Sequence, residues 1–217
     1  NEGMQQNSPM KVDSAYEWVS HHLEGFRGRE EGDTTALYEM ICLQAQCQRA
    51  KGMNEPAKVL FQEVVDFYDQ LGYADTARNY RNAVAGLAML SYATAHYKDA
   101  SEYFVRYLRV LDAFNSTKSE KYYMVLTNLA IIKEKEGEYH QADSILKDVL
   151  LRKSKTRSSQ SASMARTYED LGTLYKNMEN WSASEKNLRK AIGIHKIASG
   201  ELSLPYINAS RKLGKLY

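Results

Sequence analysis

Hydrophobic and small residues recur along the chain at a fixed interval of 42 residues, while the polar residues between them vary. One hydrophobic column consists of Leu87, Leu129, Leu171 and Leu213, and the small residues that follow them are Ala88, Ala130, Gly172 and Gly214. A repeat of about 20–50 residues is typical of arrays in which one supersecondary unit is stacked several times. The pattern therefore predicts a stacked array of similar units.

Within each unit the apolar residues follow the period of an α-helix. Helices are predicted over residues 12–26, 34–51, 56–72, 75–95, 98–112, 118–136, 140–153, 160–178, 182–198 and 203–217. Asp33 is expected to cap the second helix, and Gly52 and Gly72 are expected to end the second and third. Residues 1–10 lack the pattern and are interpreted as a loose lead-in. Short links inside each pair make its two helices antiparallel.

Side chains of complementary size are predicted to hold the two helices of each pair together. In the second helices the small residues are Ala100, Ala142 and Ser184, the large ones are Phe104, Leu146 and Leu188, and the aromatic ones are Tyr97, Tyr139 and Trp181. Small residues let the helices approach, and large residues fill the groove that results. The aromatic residues are expected to plug the end of each pair at its turn. Stacking of several pairs then forms a continuous core.

The chain resembles the tetratricopeptide repeat family, whose signature is carried here by Leu171, Gly172, Tyr175, Ser184, Leu188 and Ala191. That signature normally spans about 34 residues. The 42-residue interval is similar to the longer repeats of the kinesin light chain class. The first helix of that class often opens with "LNNLA", and "TNLA" at 127–130 is the nearest match here. The resemblance covers residues 34–217, with Ser91 and Lys133 departing from an aromatic column. It implies an all-α fold, a right-handed α-solenoid of stacked antiparallel helix pairs.

The same resemblance implies a single repeat domain over residues 11–217. Its units are 34–74, 75–117, 118–159 and 160–202, followed by a terminal helix at 203–217. Tyr217 lies inside the first helix of what would be a further pair. We therefore expect either that the chain is a fragment or that this helix itself caps the array, and self-association through the open helix is a further expectation.

The resemblance also implies a concave groove, lined by the first helix of each pair, that binds a peptide or a partner protein. The candidate groove residues are Asn82, Met89, Tyr92, Met124, Thr127, Asn128, Ile131, Glu134, Lys135, Arg166, Glu169, Asp170, Thr173, Lys176, Asn177, Arg211 and Lys215. Asn128 stands at an asparagine that contacts the peptide backbone in the kinesin light chain class. At the matching positions this chain has Gly86, Asp170 and Lys212. A solvated helix face is the alternative interpretation for any one of these residues.

Charge is distributed unevenly, although the chain as a whole carries a net charge of +2. Residues 1–144 have 15 basic and 21 acidic residues, and residues 145–217 have 14 basic and 6 acidic residues. A basic stretch contains Lys147, Arg152, Lys153, Lys155 and Arg157. It suggests either a phosphate or acidic-peptide contact, or cations that stabilise a helix C-terminus. RNA binding is a third hypothesis for this half, but the stretch lacks the interleaved aromatic residues that favour nucleic acid.

No motif of catalytic or cofactor chemistry occurs in the sequence. It has no phosphate loop, no Gly-rich dinucleotide fingerprint and no GxSxG elbow, and Cys42 and Cys47 lack CxxC spacing. The sequence therefore predicts no enzyme activity, no cofactor and no metal, with nucleic acid disfavoured as a partner. No stretch reaches the about 18 apolar residues of a membrane span. A cytoplasmic location is favoured, and a periplasmic or secreted one stays open if an N-terminal signal was removed.

These observations predict a protein–protein interaction scaffold that performs no chemistry and binds a peptide or partner protein in the concave groove. The alternative is that the repeats form the sensing or recruiting region of a larger modular protein. A sensor kinase or a caspase-like peptidase fused to such repeats is an example from the wider family, and the effector domain would then lie outside this chain. The size of the native protein distinguishes these two interpretations.

Overall fold

A computed structural model describes residues 9–27, 34–72, 78–155 and 162–217, and these residues form ten α-helices. The helices are α1 (Pro9–Arg27), α2 (Thr34–Ala50), α3 (Asn54–Leu71), α4 (Arg78–Ala93), α5 (Tyr97–Ala113), α6 (Glu120–Lys135), α7 (Tyr139–Ser154), α8 (Ala162–Asn177), α9 (Trp181–Ser199) and α10 (Leu204–Gly214). In these four ranges no residue is in a β-strand. The all-α prediction is confirmed.

Local signals in the sequence account for several of the helix ends. The Ser119 hydroxyl accepts a hydrogen bond from the Tyr122 N–H at 3.2 Å and so caps α6. Gly72 ends α3 with a φ of 69°, a left-handed conformation that glycine adopts without strain. The first helix begins at Pro9, inside the segment predicted as a lead-in. The predicted cap Asp33 lies outside the described residues.

Contacts divide the chain into two compact units, Asn1–Asn115 and Ser116–Tyr217. The first unit contains α1–α5 and the second contains α6–α10. In the first, α2 packs against α3 and α4 against α5; in the second, α6 packs against α7 and α8 against α9, and α10 packs on α9. The helix pairs that the 42-residue interval predicted are therefore present.

Residues of the predicted packing columns lie in the core. Ala88, Ala130 and Gly172 are buried on the first helices. On the second helices the buried members are Ala100, Ala142, Ser184, Phe104, Leu146 and Leu188. At Gly172 a Cβ atom would lie 2.7 Å from the Leu188 Cγ atom, so the close approach of α8 and α9 requires glycine there. Gly214, at the matching position of α10, has open space where a Cβ atom would be.

The aromatic column at the turns is less buried than predicted. Tyr97, Tyr139 and Trp181 are the first residues of α5, α7 and α9. The two tyrosines are half-buried, but Trp181 is 52% exposed and does not plug its pair. A side chain at the first position of a helix lies beside the solvent-facing turn. Other side chains can therefore pack against it from one side only, and its other side stays exposed.

Candidate functional site

A cleft in the second unit contains half of the groove residues that were predicted on helices α6 and α8. It has a volume of about 430 Å³ and lies between α6 and α8, with one side chain from α7. Its lining residues are Glu120, Met124, Thr127, Asn128 and Ile131 of α6, Lys153 of α7, and Ala162, Ser163, Arg166, Thr167 and Asp170 of α8. Six of these were predicted from the sequence: Met124, Thr127, Asn128, Ile131, Arg166 and Asp170. We refer to it as the α6–α8 cleft.

Helical periodicity explains why these residues share one surface. Side chains three and four positions apart lie on the same face of a helix. The α6 residues Met124, Asn128 and Ile131 follow that spacing, and Ser163, Arg166 and Asp170 do so on α8. The two helices also contact each other directly, so their facing residues form the two walls of the cleft.

One end of the cleft is closed by Lys153, a lysine that is only 5% exposed. Its Nζ atom donates hydrogen bonds to the Ser163 carbonyl at 3.1 Å, the Ser163 Oγ atom at 2.6 Å and the Thr167 Oγ1 atom at 3.0 Å. The Ser163 hydroxyl in turn donates to Glu120 Oε2 at 2.6 Å. Burial lowers the pKa of the Lys153 ammonium group. Because its donors are occupied inside the protein, Lys153 serves to join α7 to α8 and to position Glu120.

Asp170 differs from the other polar residues of the cleft because one of its carboxylate oxygens is buried and lacks a hydrogen bond among the described residues. Its side chain is half-buried, and its Oδ2 atom is buried without any hydrogen-bond partner in the described part of the chain. Burial raises the pKa of this carboxyl from 3.8 to about 6, although the cations Lys212, Arg166 and Lys153 act in the opposite direction. A buried acceptor without a donor costs free energy, so the ionised Asp170 carboxylate destabilises the folded chain at this position.

The wall formed by α6 is mainly apolar. Met124 is 43% exposed and Ile131 is half-buried. The Thr127 hydroxyl donates to the Tyr123 carbonyl at 2.9 Å, one turn earlier, so its hydrogen-bonding capacity is partly used within α6. Between them the half-buried Asn128 presents an amide that has both a donor and an acceptor. The cleft thus combines three apolar residues, Met124, Ile131 and Ala162, with eight polar or charged ones.

Other predicted groove residues of the second unit are occupied by partners within the protein. Glu169 is 9% exposed; its Oε1 atom lies 2.8 Å from His195 Nε2, and its Oε2 atom accepts from Lys212 Nζ at 2.6 Å. Its carboxylate therefore joins α8 to α9 and α10 and is not available to line a groove. Asn177 donates to Glu134 Oε1 at 2.6 Å, so these two predicted residues hold α8 to α6.

The remaining predicted residues lie outside the α6–α8 cleft. In the second unit Lys135, Thr173, Arg211 and Lys215 are exposed and Lys176 is half-buried. In the first unit Asn82, Met89 and Tyr92 are each half-buried on α4. Gly86, which aligns with Asn128, is buried against Phe61, where a Cβ atom would lie 2.5 Å from the ring. That position is therefore a helix-packing site in the first unit.

Five lining residues of the cleft were not predicted: Glu120, Lys153, Ala162, Ser163 and Thr167. Lys153 was instead assigned to a basic stretch, because its neighbours in sequence are cations. A signal was present, since Leu111, Lys153 and His195 lie at the 42-residue interval and are all buried. A lysine and a histidine in an otherwise apolar column indicate buried polar contacts.

The basic stretch is largely engaged with nearby groups. Lys147 pairs with Asp143 at 2.6 Å and Arg152 pairs with Asp148 at 2.6 Å, both one turn apart on α7. Lys155 is exposed, and Arg157 lies outside the described residues. Lys153, as described above, is buried. The stretch is therefore not a row of uncompensated cations.

The sequence of the second unit matches a known protein family. The family model of the tetratricopeptide repeat matches residues 122–217, the part of the chain that contains the α6–α8 cleft. The sequence of residues 122–217 is therefore similar to tetratricopeptide repeats. The predicted resemblance is confirmed there, and α6 to α10 provide the first and second helices of those repeats. No curated protein sequence matches the chain.

Solved structures extend the likeness of the tetratricopeptide repeats to nearly the whole chain. The crystal structure of BtubC (BKLC) from P. vanneervenii is 21% identical, with a TM-score of 0.72, and the match covers 95% of this chain and 83% of that one. The kinesin light chain TPR-like repeats of Podosopora anserina are 15% identical, with a TM-score of 0.75, and the match covers 87% and 89%. At these identities the likeness shows the fold, a TPR-like solenoid, as predicted.

No group of three or more His, Cys, Asp or Glu residues in the described ranges is arranged to hold a metal ion. Among the ten described helices, none is both long and apolar enough to cross a membrane.

Proposed function

We propose that the chain is a non-catalytic interaction module that binds an extended peptide segment of another protein in the α6–α8 cleft. Tetratricopeptide repeats generally mediate protein–protein interactions, and proteins built from them are typically scaffolds without catalytic activity. The proposal places binding on the facing surfaces of α6 and α8. It assigns roles to Asn128 and Arg166 as polar contacts and to Met124 and Ile131 as the apolar wall.

The observation that carries the proposal is a cleft in which Met124 and Ile131 lie beside the half-buried Asn128 amide, with the exposed Arg166 on the other wall. An extended peptide has backbone N–H groups and side chains that alternate in direction. Its N–H groups complement the Asn128 side-chain carbonyl, and its carbonyl groups complement the Asn128 NH₂ group and the Arg166 guanidinium group. Alternate side chains can then bury against Met124 and Ile131. A cleft of about 430 Å³ is within the range of ligand sites and fits a few peptide residues.

Selection from a random peptide library tests this function directly. The full chain is immobilised and panned against a phage-displayed library of random decapeptides, and enriched peptides are synthesised with a fluorescein label. Affinity is then measured by fluorescence anisotropy for the native chain and for the double variant Asn128→Ala with Arg166→Ala. We expect the double variant to bind about tenfold or more weakly, because two polar contacts are lost.

A matched control separates loss of the cleft from loss of folding. The variant Gln141→Ala with Lys186→Ala removes one amide and one cation from exposed positions of α7 and α9, away from the cleft. We expect its affinity to equal that of the native chain, and we expect all variants to keep the helical circular dichroism spectrum. Equal binding by the native chain and the Asn128/Arg166 variant, or failure to enrich any peptide over a blank surface, would refute the proposed function.

A further inference from the structure

We propose that copies of this chain associate head to tail, with α10 of one copy packing against α1 of the next. The contact lies apart from the α6–α8 cleft and goes beyond the proposed function. Three features support it: an open socket on α10, an uncovered face on α1, and opposite net charges on the two units that contain these helices.

The face of α10 has an open socket at the position where α8 is covered by its partner helix. Gly214 of α10 follows Gly172 of α8 by 42 residues. At Gly172 the Leu188 side chain of α9 fills the space, whereas no described residue lies within 4 Å of a Cβ atom built at Gly214. A cavity of about 480 Å³ lies there, between α9 and α10, with Tyr206 and Leu213 in its lining. We refer to it as the α10 socket.

The same face of α10 leaves an apolar side chain exposed. Ile207 lies seven positions before Gly214, two turns away on one face of the helix, and is 40% exposed. The matching residue of α8, Ala165, is completely buried. In the described part of the chain, α10 is thus a first helix whose second helix is missing, and each unit of a repeat array buries its apolar face only against its neighbours.

The counterpart of this face is on α1, which has the packing pattern of a second helix. Ala15 and Val19 precede Ala57 and Phe61 of α3 by 42 residues. As α3 packs on α4, α1 packs on the helix that follows it, α2, and Val19 is buried there. Ala15 is exposed although Ala57 is completely buried, and Trp18, three positions further along, is 56% exposed. The uncovered side of α1 is therefore the side that meets a first helix.

The two faces are halves of a contact that the chain already repeats. The α9 residues that lie over Gly172 are Ser184 and Leu188. At the repeat interval, with one extra residue between α3 and α5, the matching positions of α1 are Ala15 and Val19. A small residue followed four positions later by a larger apolar one is what the α10 socket requires, because Gly214 allows the same close approach of helices as Gly172.

Charge favours a second copy of this chain as the occupant. Residues 1–115, the unit that contains α1, have 11 basic and 16 acidic residues, and residues 116–217, the unit that contains α10, have 18 basic and 11 acidic residues. The charged residues of α10, Arg211 and Lys212, are both basic, whereas α1 has three acidic and two basic residues. Opposite charges favour contact between unlike ends and oppose contact between two like ends.

Sedimentation equilibrium of the full chain, from micromolar to millimolar concentration, tests the proposal. We expect the mean mass to rise with concentration above the 24.8 kDa of one chain. Ala15→Arg and Gly214→Arg each block one face, at an exposed residue and at a site with open space, so both variants should keep the helical circular dichroism spectrum. We expect each variant alone to lose association. Their equimolar mixture should form dimers and nothing larger, because one intact α1 face and one intact α10 face remain.

Gln141→Arg is the matched control, since it adds the same cation at an exposed position of α7 away from both faces. We expect it to associate as the native chain does. A native chain that stays monomeric throughout would refute the proposal and leave the α10 socket to a helix of another protein. Association of Ala15→Arg by itself would mean that like faces pair, and a monomeric mixture of the two variants would also refute head-to-tail contact.

Hydrogen–deuterium exchange of the native chain tests the same contact without any substitution. Comparison of a dilute with a concentrated sample should show slower exchange at high concentration in α1 and α10 and unchanged exchange in α3. Protection confined to other helices would place the contact elsewhere and refute the proposal.

Discussion

Replacing Asp170 by asparagine is expected to stabilise the protein at neutral pH. Burial raises the pKa of the carboxyl from 3.8 to about 6 in the folded chain. A raised pKa means that the folded state holds the proton more tightly than the unfolded state, so ionisation of Asp170 opposes folding. The difference between the two pKa values corresponds to about 3 kcal/mol above both of them. Because asparagine is neutral, Asp170→Asn removes that cost.

The pH dependence distinguishes this cause from a simple change in packing. At pH 7.5 the carboxyl is ionised in both states, so we expect Asp170→Asn to raise the free energy of unfolding by up to about 3 kcal/mol. As the pH falls through 6, the native Asp170 takes up a proton and the difference shrinks. About half of it remains at about pH 5, and it disappears below about pH 4. Urea unfolding followed by far-UV circular dichroism measures the free energy at each pH.

Asp148→Asn serves as the reference variant for the same measurement. Asp148 is exposed and pairs with Arg152 on the surface of α7, an interaction worth about 0.5 kcal/mol or less. We expect a small loss of stability with no gain at neutral pH. If Asp170→Asn is no more stable than the native chain at pH 7.5, or if its gain does not shrink toward pH 5, the carboxylate is not buried as the structure shows.

Four further substitutions test the contacts within and between the repeats. Gly172→Ala should destabilise the chain by about 1–3 kcal/mol because its Cβ atom meets Leu188. Gly193→Ala, at a helical site with open space, should be neutral or stabilise the chain by up to about 1 kcal/mol. Thermal melting that ranks the two variants in the opposite order would contradict the close approach of α8 and α9. Leu129→Ala should cost about 2–5 kcal/mol in urea unfolding, and a loss below about 1 kcal/mol would argue against its burial. Glu169→Gln should weaken the attachment of α10, so that its amides exchange about tenfold faster with deuterium while those of α6 do not change.

The packing of the repeats could be predicted because it is periodic. Residues such as Leu146 and Ala142 recur every 42 positions with their size preserved, and size is what decides burial between two helices. The helix ends followed for similar reasons, since Ser119 and Gly72 act through their own backbone neighbours. The helix-end signals are local and the packing residues recur at a fixed interval. Both can therefore be recognised in the sequence without knowledge of contacts between distant residues.

The polar contacts between repeats could not be predicted in the same way. Glu169 has the spacing of a groove residue, but its position is decided by His195 and Lys212, which lie 26 and 43 residues further along the chain. Lys153 likewise depends on Ser163 and Thr167 of the following helix. These pairings depend on how one helix turns against the next, and the identity of a single residue does not determine that.

Six of the predicted groove residues nevertheless meet in one cleft, since alignment places residues on a helix face even when their partners are unknown. It located Asn128 and Asp170 on facing helices. It did not show that the Asp170 carboxylate lacks a donor, because that depends on where every neighbouring cation is bonded.

Hydrogen–deuterium exchange of the full chain, with and without a peptide enriched from the library, tests the central claim most directly. Peptide binding in the α6–α8 cleft predicts slower exchange in residues 120–131 and 162–170, and no change in the turn at 137–141, on which a separate surface cavity lies. The same protection should be absent in the Asn128→Ala, Arg166→Ala variant. Protection confined to the turn region or to α9 and α10, with α6 and α8 unchanged, would contradict the claim that the chain binds its partner between α6 and α8.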